Sequence, residues 1–177
     1  MEKIFNYLKL CQEHPKSEMA AFGFILHNFV TNLKPEVVFE IGTHKGRSTH
    51  IMLNALEYLH RIDKNYKGKL YSIDIRDTSY AIAETNPLRK YWTFIKGDSS
   101  QYDFGKPIDF LLIDGGHKYS EIRADYLKYE PLVKKGSYIL MHDTVLCPGV
   151  KKVFEEEVKH PKTNLNWQYG MGIIQKI

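Results

Sequence analysis

Residues 37–49 read VVFEIGTHKGRST, an apolar run that ends in a glycine-containing turn and continues into a stretch with helical character. The apolar run has the near-continuous hydrophobicity of a strand that is buried on both faces of a parallel sheet. Gly42 permits a tight turn, and Gly46 lets the following helix pack close to the strand. Ser48 or Thr49 can cap the first turn of that helix. This stretch therefore predicts a strand, a ligand-binding turn and a helix.

The same alternation of apolar runs and amphipathic stretches continues to the end of the sequence. It predicts an α/β fold that is doubly wound and Rossmann-like, in which a mostly parallel seven-stranded sheet carries helices on both faces. The predicted strands are 37–42, 70–75, 93–97, 108–114 and 137–142, followed by a C-terminal antiparallel hairpin of 166–169 and 172–177. Apolar spacing predicts helices over 17–33, 47–62, 119–133 and 150–158 and a weaker one over 2–11, with Pro131 tightening or ending the third.

Composition and charge exclude several classes of protein. Side chains are 43% hydrophobic and 26% charged, as in an average globular domain, which excludes disordered and low-complexity chains. The formal charge of +4 comes from 25 basic and 21 acidic residues scattered along the chain, so we expect no nucleic-acid partner. No apolar stretch approaches the roughly 20 residues that span a bilayer, so we expect no membrane partner. Cys11 and Cys147 lie far apart and the N-terminus lacks a long apolar signal segment, which predicts a cytoplasmic protein with reduced thiols.

Carboxylates fall where the predicted parallel strands end. Asp74, Asp98, Asp114 and Asp143 each lie at or just after the carboxyl end of a strand, and Glu40 lies beside the end of the first one. In a doubly wound sheet these ends share one crevice, where ligands bind. Each acid taken alone could instead cap a helix or a turn. Capping accounts poorly for all of them together, so we predict a binding site at this edge of the sheet.

The glycine spacing narrows the choice of ligand. The turn has the pattern G-x-x-x-G, without the middle glycine of G-x-G-x-x-G and without a Lys-Ser or Lys-Thr pair after the last glycine. The pattern therefore argues against both a pyrophosphate-binding Rossmann loop and a P-loop. A nucleotide ligand would fit this turn, and the looser glycine motif suits a ligand without a pyrophosphate.

These residues resemble the class I S-adenosylmethionine-dependent methyltransferases. More narrowly, they are similar to small-molecule and sugar O-methyltransferases related to the macrolide-sugar and rhamnosyl O-methyltransferases. The resemblance runs from about residue 36 to the C-terminus, and D-G-G-H-x-Y followed by H-D is its most specific part. The matching motifs are Glu40-Ile41-Gly42-Thr43 with Gly46 and Ser48, Asp114-Gly115-Gly116-His117-x-Tyr119, Asp125, Gly136, His142-Asp143-Thr144, Gly149-Val150-x-x-Val153-Phe154 and Gly170-Met171-Gly172.

The resemblance implies a binding site for S-adenosyl-L-methionine. In it, Asp74 accepts hydrogen bonds from the ribose hydroxyls, a role that suits a carboxylate because charge-assisted bonds to a diol are strong. Glu40, Gly42 and Thr43 line the methionine end, and Asp98 and Ser99 face the adenine. The full set implied for the cofactor is Glu40, Gly42, Thr43, Gly46, Ser48, Asp74, Asp98, Ser99 and Asp114.

Methyl transfer to oxygen is a direct displacement that needs alignment and a deprotonated acceptor. His117, with an ordinary pKa of about 6.5, or Asp114 could take the acceptor proton as the catalytic base. The alternative for His117 is that it caps the helix that begins near Tyr119.

The same strand ends raise the question of whether this site binds a metal ion. In the related sugar enzymes, acids at the positions of Asp114, His142 and Asp143 hold magnesium, but the middle position here is a histidine. Magnesium prefers oxygen ligands. Either the site uses manganese or another nitrogen-tolerant ion, or His142 stays outside the ligand shell, or no metal binds. The alternative for His142 is a buried imidazole that backbone groups satisfy.

The resulting hypothesis is an enzyme that transfers a methyl group from S-adenosylmethionine to a hydroxyl of a small molecule or sugar. An NAD-type dinucleotide-binding oxidoreductase and a non-catalytic cofactor-binding accessory protein are the alternatives. We predict a single domain over 1–177, with a helical cover over 1–34 and a cofactor-binding sheet domain over 35–177. That length leaves no inserted substrate domain, so the acceptor is either small or partly bound by a second subunit of a homo-oligomer.

Overall fold

The computed structural model describes residues 18–177. The helix predicted over 2–11 and the side chain of Cys11 lie outside the described residues. The α-helices are α1 Gly23–Leu33, α2 Arg47–Ile62, α3 Tyr119–Tyr129 and α4 Pro148–Lys152, with short 3-10 turns at Glu18–Ala21, Ser79–Ala81, Pro87–Tyr91 and Glu130–Leu132 and a π-helical turn at Val153–Glu157. The strands are β1 Val37–Ile41, β2 Lys69–Asp74, β3 Trp92–Lys96, β4 Ile108–Ile113, β5 Val133–His142, β6 Lys162–Leu165 and β7 Met171–Gln175.

The seven strands form one sheet in the order β3-β2-β1-β4-β5-β7-β6. The first five strands pair in parallel, and β7 runs antiparallel to both β5 and β6. The strand order reverses between β1 and β4, which opens a crevice at their carboxyl ends. The predicted doubly wound, mostly parallel sheet with a C-terminal antiparallel hairpin is confirmed.

Two apolar layers enclose the sheet. Helices α1 and α2 cover one face, where Leu26 packs in the same core as Val38 and Phe110. Helix α3 and the segment that begins with α4 cover the other face, where Ile122 packs with Phe39. Neighbouring strand residues such as Val38 and Phe39 point to opposite faces, so both must be apolar. This explains why the strands read as continuous hydrophobic runs.

Strand β5 begins four residues earlier than predicted. Helix α3 ends at Tyr129 and Pro131 lies in a 3-10 turn, so the predicted effect of the proline is confirmed. The chain then enters β5 directly at Val133, where the pairing with β4 contains an irregularity. Gly136, at φ 83°, continues the strand, and its N–H donates to the carbonyl of Lys176 at 2.7 Å. A glycine that follows two lysines carried no strand signal in the sequence.

The strand predicted over 166–169 is wrong, although the hairpin itself is present. Residues between β6 and β7 form the connecting turn, with Gln168 at φ 51° and Gly170 at φ 88°. Strand β6 lies at the edge of the sheet and is largely polar, so it lacks the apolar pattern used to find strands. The helix predicted over 150–158 starts at Pro148 and changes from α to π geometry at Val153. In the part of the chain that the structure describes, no helix is both long and apolar enough to cross a membrane.

Candidate active site

The turn after β1 passes between two neighbouring strands. The N–H of Gly42 donates to the carbonyl of Ile73 at 2.9 Å, and the N–H of Asp114 donates to the carbonyl of Ile41 at 2.9 Å. Gly42 has φ 91°, and a Cβ added to it would lie 2.1 Å from the carbonyl oxygen of Asp114. Both the backbone angle and the available space therefore require glycine at this position.

Glu40 is completely buried beneath this turn. Its carboxylate accepts hydrogen bonds from the hydroxyls of Ser48 at 2.5 Å, Thr49 at 2.7 Å and Ser72 at 2.5 Å. Helix α2 begins after Gly46 without a side-chain cap, so the predicted capping by Ser48 or Thr49 is wrong. Both hydroxyls turn inward because the buried carboxylate needs donors. Glu40 and Ser48 thus tie α2 to β1, while their direct contact with a cofactor stays a prediction.

Burial controls the ionisation of Glu40. It raises the pKa of this carboxyl from its usual 4.5 to about 7, against the lowering effect of the three hydroxyl hydrogen bonds. The folded state therefore holds the proton more tightly than the unfolded chain does. Its contribution to stability is complete below pH 4.5 and is lost as the pH rises through about 7.

We expect Glu40→Gln to remove this part of the pH dependence of stability. The difference in unfolding free energy between wild type and variant should shift against the wild type by about 3 kcal/mol as the pH rises from below the unfolded pKa to above the folded one. Urea unfolding of both proteins across this range measures it. Because all other groups titrate in both proteins, the comparison isolates Glu40. A difference that stays constant with pH would contradict the buried proton.

Asp74 closes the turn from the end of β2. One carboxylate oxygen accepts hydrogen bonds from the N–H groups of Thr43 at 3.1 Å and His44 at 2.9 Å. The other oxygen accepts from the N–H of Arg76 at 2.9 Å. The side chain is partly exposed at the crevice. The structure thus brings Asp74 and the glycine turn together, and the three backbone donors leave about one lone-pair site of the carboxylate for a ligand.

Asp98 and Ser99, which follow β3, have different hydrogen-bond partners. Asp98 is exposed, and one of its oxygens accepts from the N–H and the hydroxyl of Ser100. Ser99 donates to Asp125 at 2.6 Å. Burial raises the pKa of Asp125 to about 6, against the effect of the hydrogen bond from Ser99. Sequence reasoning placed no chemistry on Asp125. This buried acid lies between Ser99 and the loop after β4, where a Cβ added to Gly115 would lie 3.4 Å from its second oxygen.

Four side chains form the strand-end cluster, which we define as Asp114, His117, His142 and Asp143. His142 Nδ1 lies 3.1 Å from Asp114 Oδ1 and 3.3 Å from Asp143 Oδ1. His117 Nε2 lies 2.7 Å from Asp143 Oδ2. The side chains of His142 and Asp143 are buried, Asp114 is 23% exposed and His117 is 55% exposed. The predicted convergence of these residues is therefore present, with His117 and Asp114 facing solvent.

The histidines and aspartates of this cluster stabilise one another's charged forms. Burial opposes the charge of His142, but the hydrogen bonds to Asp114 and Asp143 outweigh it and raise its pKa to about 10. Burial likewise disfavours the charge of Asp143, yet the two histidines hold its pKa well below its usual range. The hydrogen bond to Asp143 raises the pKa of His117. His142 is thus a buried cation between two carboxylates near neutral pH.

Neither structural alternative for the two histidines describes what they do. Helix α3 starts after Lys118, whose N–H donates to Glu121 at 3.3 Å, so the first turn is closed without the imidazole of His117. His142 bonds to carboxylates and not to backbone, and its Nε2 is buried with no hydrogen-bond partner among the described residues. A backbone angle of φ 63° at Asp143 turns that residue toward both histidines.

The cluster includes a set of atoms that could hold a cation. One ligand atom each from Asp114, His142 and Asp143 lies within 4.8 Å of the others, and the buried Asp143 Oδ1 has only the 3.3 Å contact with His142 Nδ1 among the described residues. Two oxygens and one nitrogen suit manganese better than magnesium, and His142 must give up its proton to become a ligand. The metal stays a prediction, with a nitrogen-tolerant ion as the better fit.

A second glycine contact fixes the loop that carries His117. A Cβ on Gly149 would lie 2.5 Å from both the carbonyl oxygen of His117 and the N–H nitrogen of Tyr119. The start of α4 therefore packs directly on the loop after β4. Two motifs that lie 30 residues apart in the sequence meet at the cluster for this reason.

Comparison with known proteins agrees with this architecture. A family model described as a methyltransferase domain matches residues 39–144, more than half of the chain. An uncharacterized protein of Sinorhizobium fredii is 24% identical over 160 residues, which cover 80% of this chain and 17% of that protein. The chain thus spans less than a fifth of the length of this curated relative.

Solved structures share the fold over almost the whole chain. An O-methyltransferase from Bacillus cereus in complex with S-adenosylhomocysteine has a TM-score of 0.67 at 17% identity, with coverage of 99% of this chain and 91% of that one. TomG, an O-methyltransferase from Streptomyces achromogenes involved in tomaymycin synthesis and solved with S-adenosylmethionine, gives 0.71 at 17%, covering 97% and 89%. A TDP-rhamnose 3'-O-methyltransferase of calicheamicin biosynthesis gives 0.69 at 16%, covering 98% and 85%. By its sheet order and its match to the family model, the chain belongs to the methyltransferase domain family.

Proposed function

We propose that this protein transfers a methyl group from S-adenosylmethionine to a hydroxyl oxygen of a small molecule or sugar. The observation that carries the proposal is the crevice itself. It has a partly exposed carboxylate, Asp74, over the glycine turn on one side and the strand-end cluster on the other. A nucleoside and an acceptor hydroxyl could then meet between β1 and β4.

The residues around the turn fit the cofactor. Gly42 leaves the turn without a side chain, Thr43 has a buried hydroxyl with no hydrogen-bond partner among the described residues, and Asp74 can accept a further hydrogen bond from a ribose hydroxyl. When bound, S-adenosylmethionine would supply a methyl group activated by its sulfonium. Glu40 ties the start of α2 to β1 through Ser48 and Thr49, and we propose that it also lines the methionine end of the cofactor site.

On the acceptor side, His117 is the better base of the two candidates. Its Nε2 is held by Asp143 at 2.7 Å, which leaves Nδ1 to take a proton from an acceptor hydroxyl. The imidazole is more than half exposed, so a bound acceptor can reach it. Asp114 is less exposed and already accepts from His142. A divalent ion, if present, would be held by Asp114, His142 and Asp143 and would make the acceptor hydroxyl more acidic.

Names of the solved relatives support a small acceptor. One of them is an enzyme of TDP-rhamnose and another takes part in tomaymycin synthesis. In this chain, the rim beyond β5 carries exposed Val145, Leu146 and Trp167. The N–H groups of Val145 and Leu146 donate to the carbonyl of Tyr169, which joins the two rim segments. We propose that this rim contacts the acceptor.

The affinity for S-adenosylmethionine tests the proposal first. We expect micromolar binding by calorimetry, weaker binding of NAD, and a loss of affinity of tenfold or more in Asp74→Ala, about the 1.4 kcal/mol expected for lost charge-assisted bonds. Asp77→Ala is the matched control, because this acid is exposed three residues further on and accepts only from Ser79 among the described residues. Thermal unfolding checks that each variant is folded.

Unchanged affinity in Asp74→Ala would remove this residue from the binding site, and tighter binding of NAD would overturn the cofactor assignment. Turnover with a panel of phenols and nucleotide sugars then separates an enzyme from an accessory protein. Binding of the cofactor without turnover on any acceptor would favour the accessory protein.

A further inference from the structure

A second group of metal-ligating side chains overlaps the strand-end cluster on its solvent side. His117, Asp143 and Cys147 each offer one ligand atom, and these three atoms lie within 4.8 Å of one another. Asp143 is buried, Cys147 is partly exposed and His117 is exposed. The three donors are a nitrogen, an oxygen and a sulfur, a mixture that differs from the sulfur-free set of Asp114, His142 and Asp143.

The backbone between β5 and α4 brings the sulfur to this place. The N–H of Cys147 donates to the carbonyl of Asp143 at 3.0 Å, which closes a five-residue turn over 143–147. The positive φ of 63° at Asp143 starts that turn. Gly149 then packs against the carbonyl of His117, so the histidine loop and the cysteine turn lie against each other. Two fixed segments of the fold therefore hold the three donors together.

We infer that His117, Asp143 and Cys147 form a binding site for zinc and for divalent ions of similar chemistry such as cobalt. We further infer that occupation of this site blocks methyl transfer. The first part stands on the three donors alone. The second part rests on the proposed function, since it assigns His117 to the acceptor proton.

The donor set matches the coordination chemistry of zinc. Zinc takes tetrahedral sets of nitrogen, oxygen and sulfur ligands at about 2.0–2.3 Å, which places ligand atoms about 3.3–3.8 Å apart. The three donors lie within 4.8 Å of one another, and His117 Nε2 lies 2.7 Å from Asp143 Oδ2. The contact between the histidine and the aspartate must therefore open slightly to admit the ion, and side-chain shifts of about 1 Å give the spacing that zinc requires. A thiolate selects zinc over magnesium, which prefers oxygen. Three protein ligands leave the fourth position to water.

Occupation has a direct chemical consequence. Metal binding releases the thiol proton of Cys147 and any proton on the coordinating nitrogen of His117 to solvent. The ion then replaces the hydrogen bond between His117 and Asp143. An imidazole held by a cation is a poor base, so removal of the acceptor proton stops while the cofactor side of the crevice stays unaltered.

Cobalt spectroscopy of the full chain tests the site without any need for turnover. Co²⁺ added to the metal-free protein should give the near-ultraviolet charge-transfer band of a thiolate ligand, and zinc should displace it. The band should be lost in Cys147→Ser. It should persist in Cys11→Ser, which removes the other cysteine of the chain, and in Asp114→Asn, which disrupts only the sulfur-free set. Absence of the band in wild type, its persistence in Cys147→Ser, or its loss in Cys11→Ser would overturn the site.

Zinc titrations then measure the consequence. We expect the affinity for zinc to fall at least tenfold in Cys147→Ser and in His117→Asn. Zinc inhibition of methyl transfer, measured for each protein against its own zinc-free rate, should be at least tenfold weaker in Cys147→Ser. Equal inhibition of wild type and Cys147→Ser would refute the blocking role. A lack of turnover in zinc-free protein would contradict the proposed function, and the cobalt spectra would still decide the metal site.

Discussion

Gly42→Ala is expected to lower the free energy of unfolding by about 3–5 kcal/mol. Two costs combine at this position. The backbone angle of φ 91° is one that side chains with a Cβ rarely adopt. The new Cβ would also meet the carbonyl oxygen of Asp114 at 2.1 Å and its carbonyl carbon at 2.7 Å. Backbone atoms cannot rotate away as a side chain can, so β1 and β4 must separate at their carboxyl ends.

Chemical unfolding of Gly42→Ala and Gly136→Ala separates these two costs. Gly136 has a similar angle of φ 83°, but nothing lies within 4 Å of its added Cβ. The free energy of unfolding of Gly136→Ala should therefore fall only by the ~1–2 kcal/mol that the unfavourable backbone angle costs. Equal losses in the two variants would mean that the contact with Asp114 contributes nothing. The folded fraction of Gly42→Ala should also bind S-adenosylmethionine more weakly, because the turn held by Asp74 is displaced.

The position of the site could be predicted because it depends on the backbone path alone. Parallel strands end at the same edge, so acids that follow them meet there whatever the details of packing. Asp114 and Asp143 follow neighbouring strands, so their approach could be predicted from the strand assignment. The contact between Asp143 and His117 also depends on the positive φ of Asp143 and on the packing of Gly149. Gly42 is similar, since a turn that passes between two strands leaves no room for a side chain.

The direction of hydroxyl side chains could not be predicted in the same way. Ser48 and Thr49 stand where helix caps are common, and local preference predicted that they cap α2. The structure uses them to satisfy Glu40, together with Ser72 from the neighbouring strand. This choice depends on the burial of a carboxylate, which is a property of the assembled sheet. The need to hydrogen-bond a buried carboxylate outweighed the local preference for helix capping.

Proximity between Cys147 and His117 has a different origin. It requires a five-residue turn with a positive φ at Asp143 and the close approach of Gly149 to the loop after β4. Neither feature leaves a periodic signal in the sequence. Strand β6 went undetected for a related reason, because an edge strand needs no apolar alternation. Sequence patterns report burial, and these features are set by loop geometry and hydrogen bonds.

His117→Asn is expected to reduce turnover by about 100-fold while the affinity for S-adenosylmethionine stays nearly unchanged. The imidazole acts on the acceptor proton and does not touch the sulfonium side of the crevice. Its side chain is 55% exposed, so its loss should cost little stability. Asparagine keeps a polar group beside Asp143 but has no basic nitrogen. Single-turnover kinetics and calorimetry on the same preparation measure the two quantities.

Asp114→Asn is the comparison that decides which residue takes the proton. If His117 is the base, His117→Asn should fall further in turnover than Asp114→Asn. Exogenous imidazole should then restore part of the activity of His117→Ala, where space for it is left open beside Asp143. A merely structural role for His117 would give no such rescue. Wild-type turnover in His117→Asn with a large loss in Asp114→Asn would instead assign the proton to Asp114, and His117 would keep only its ion pair with Asp143.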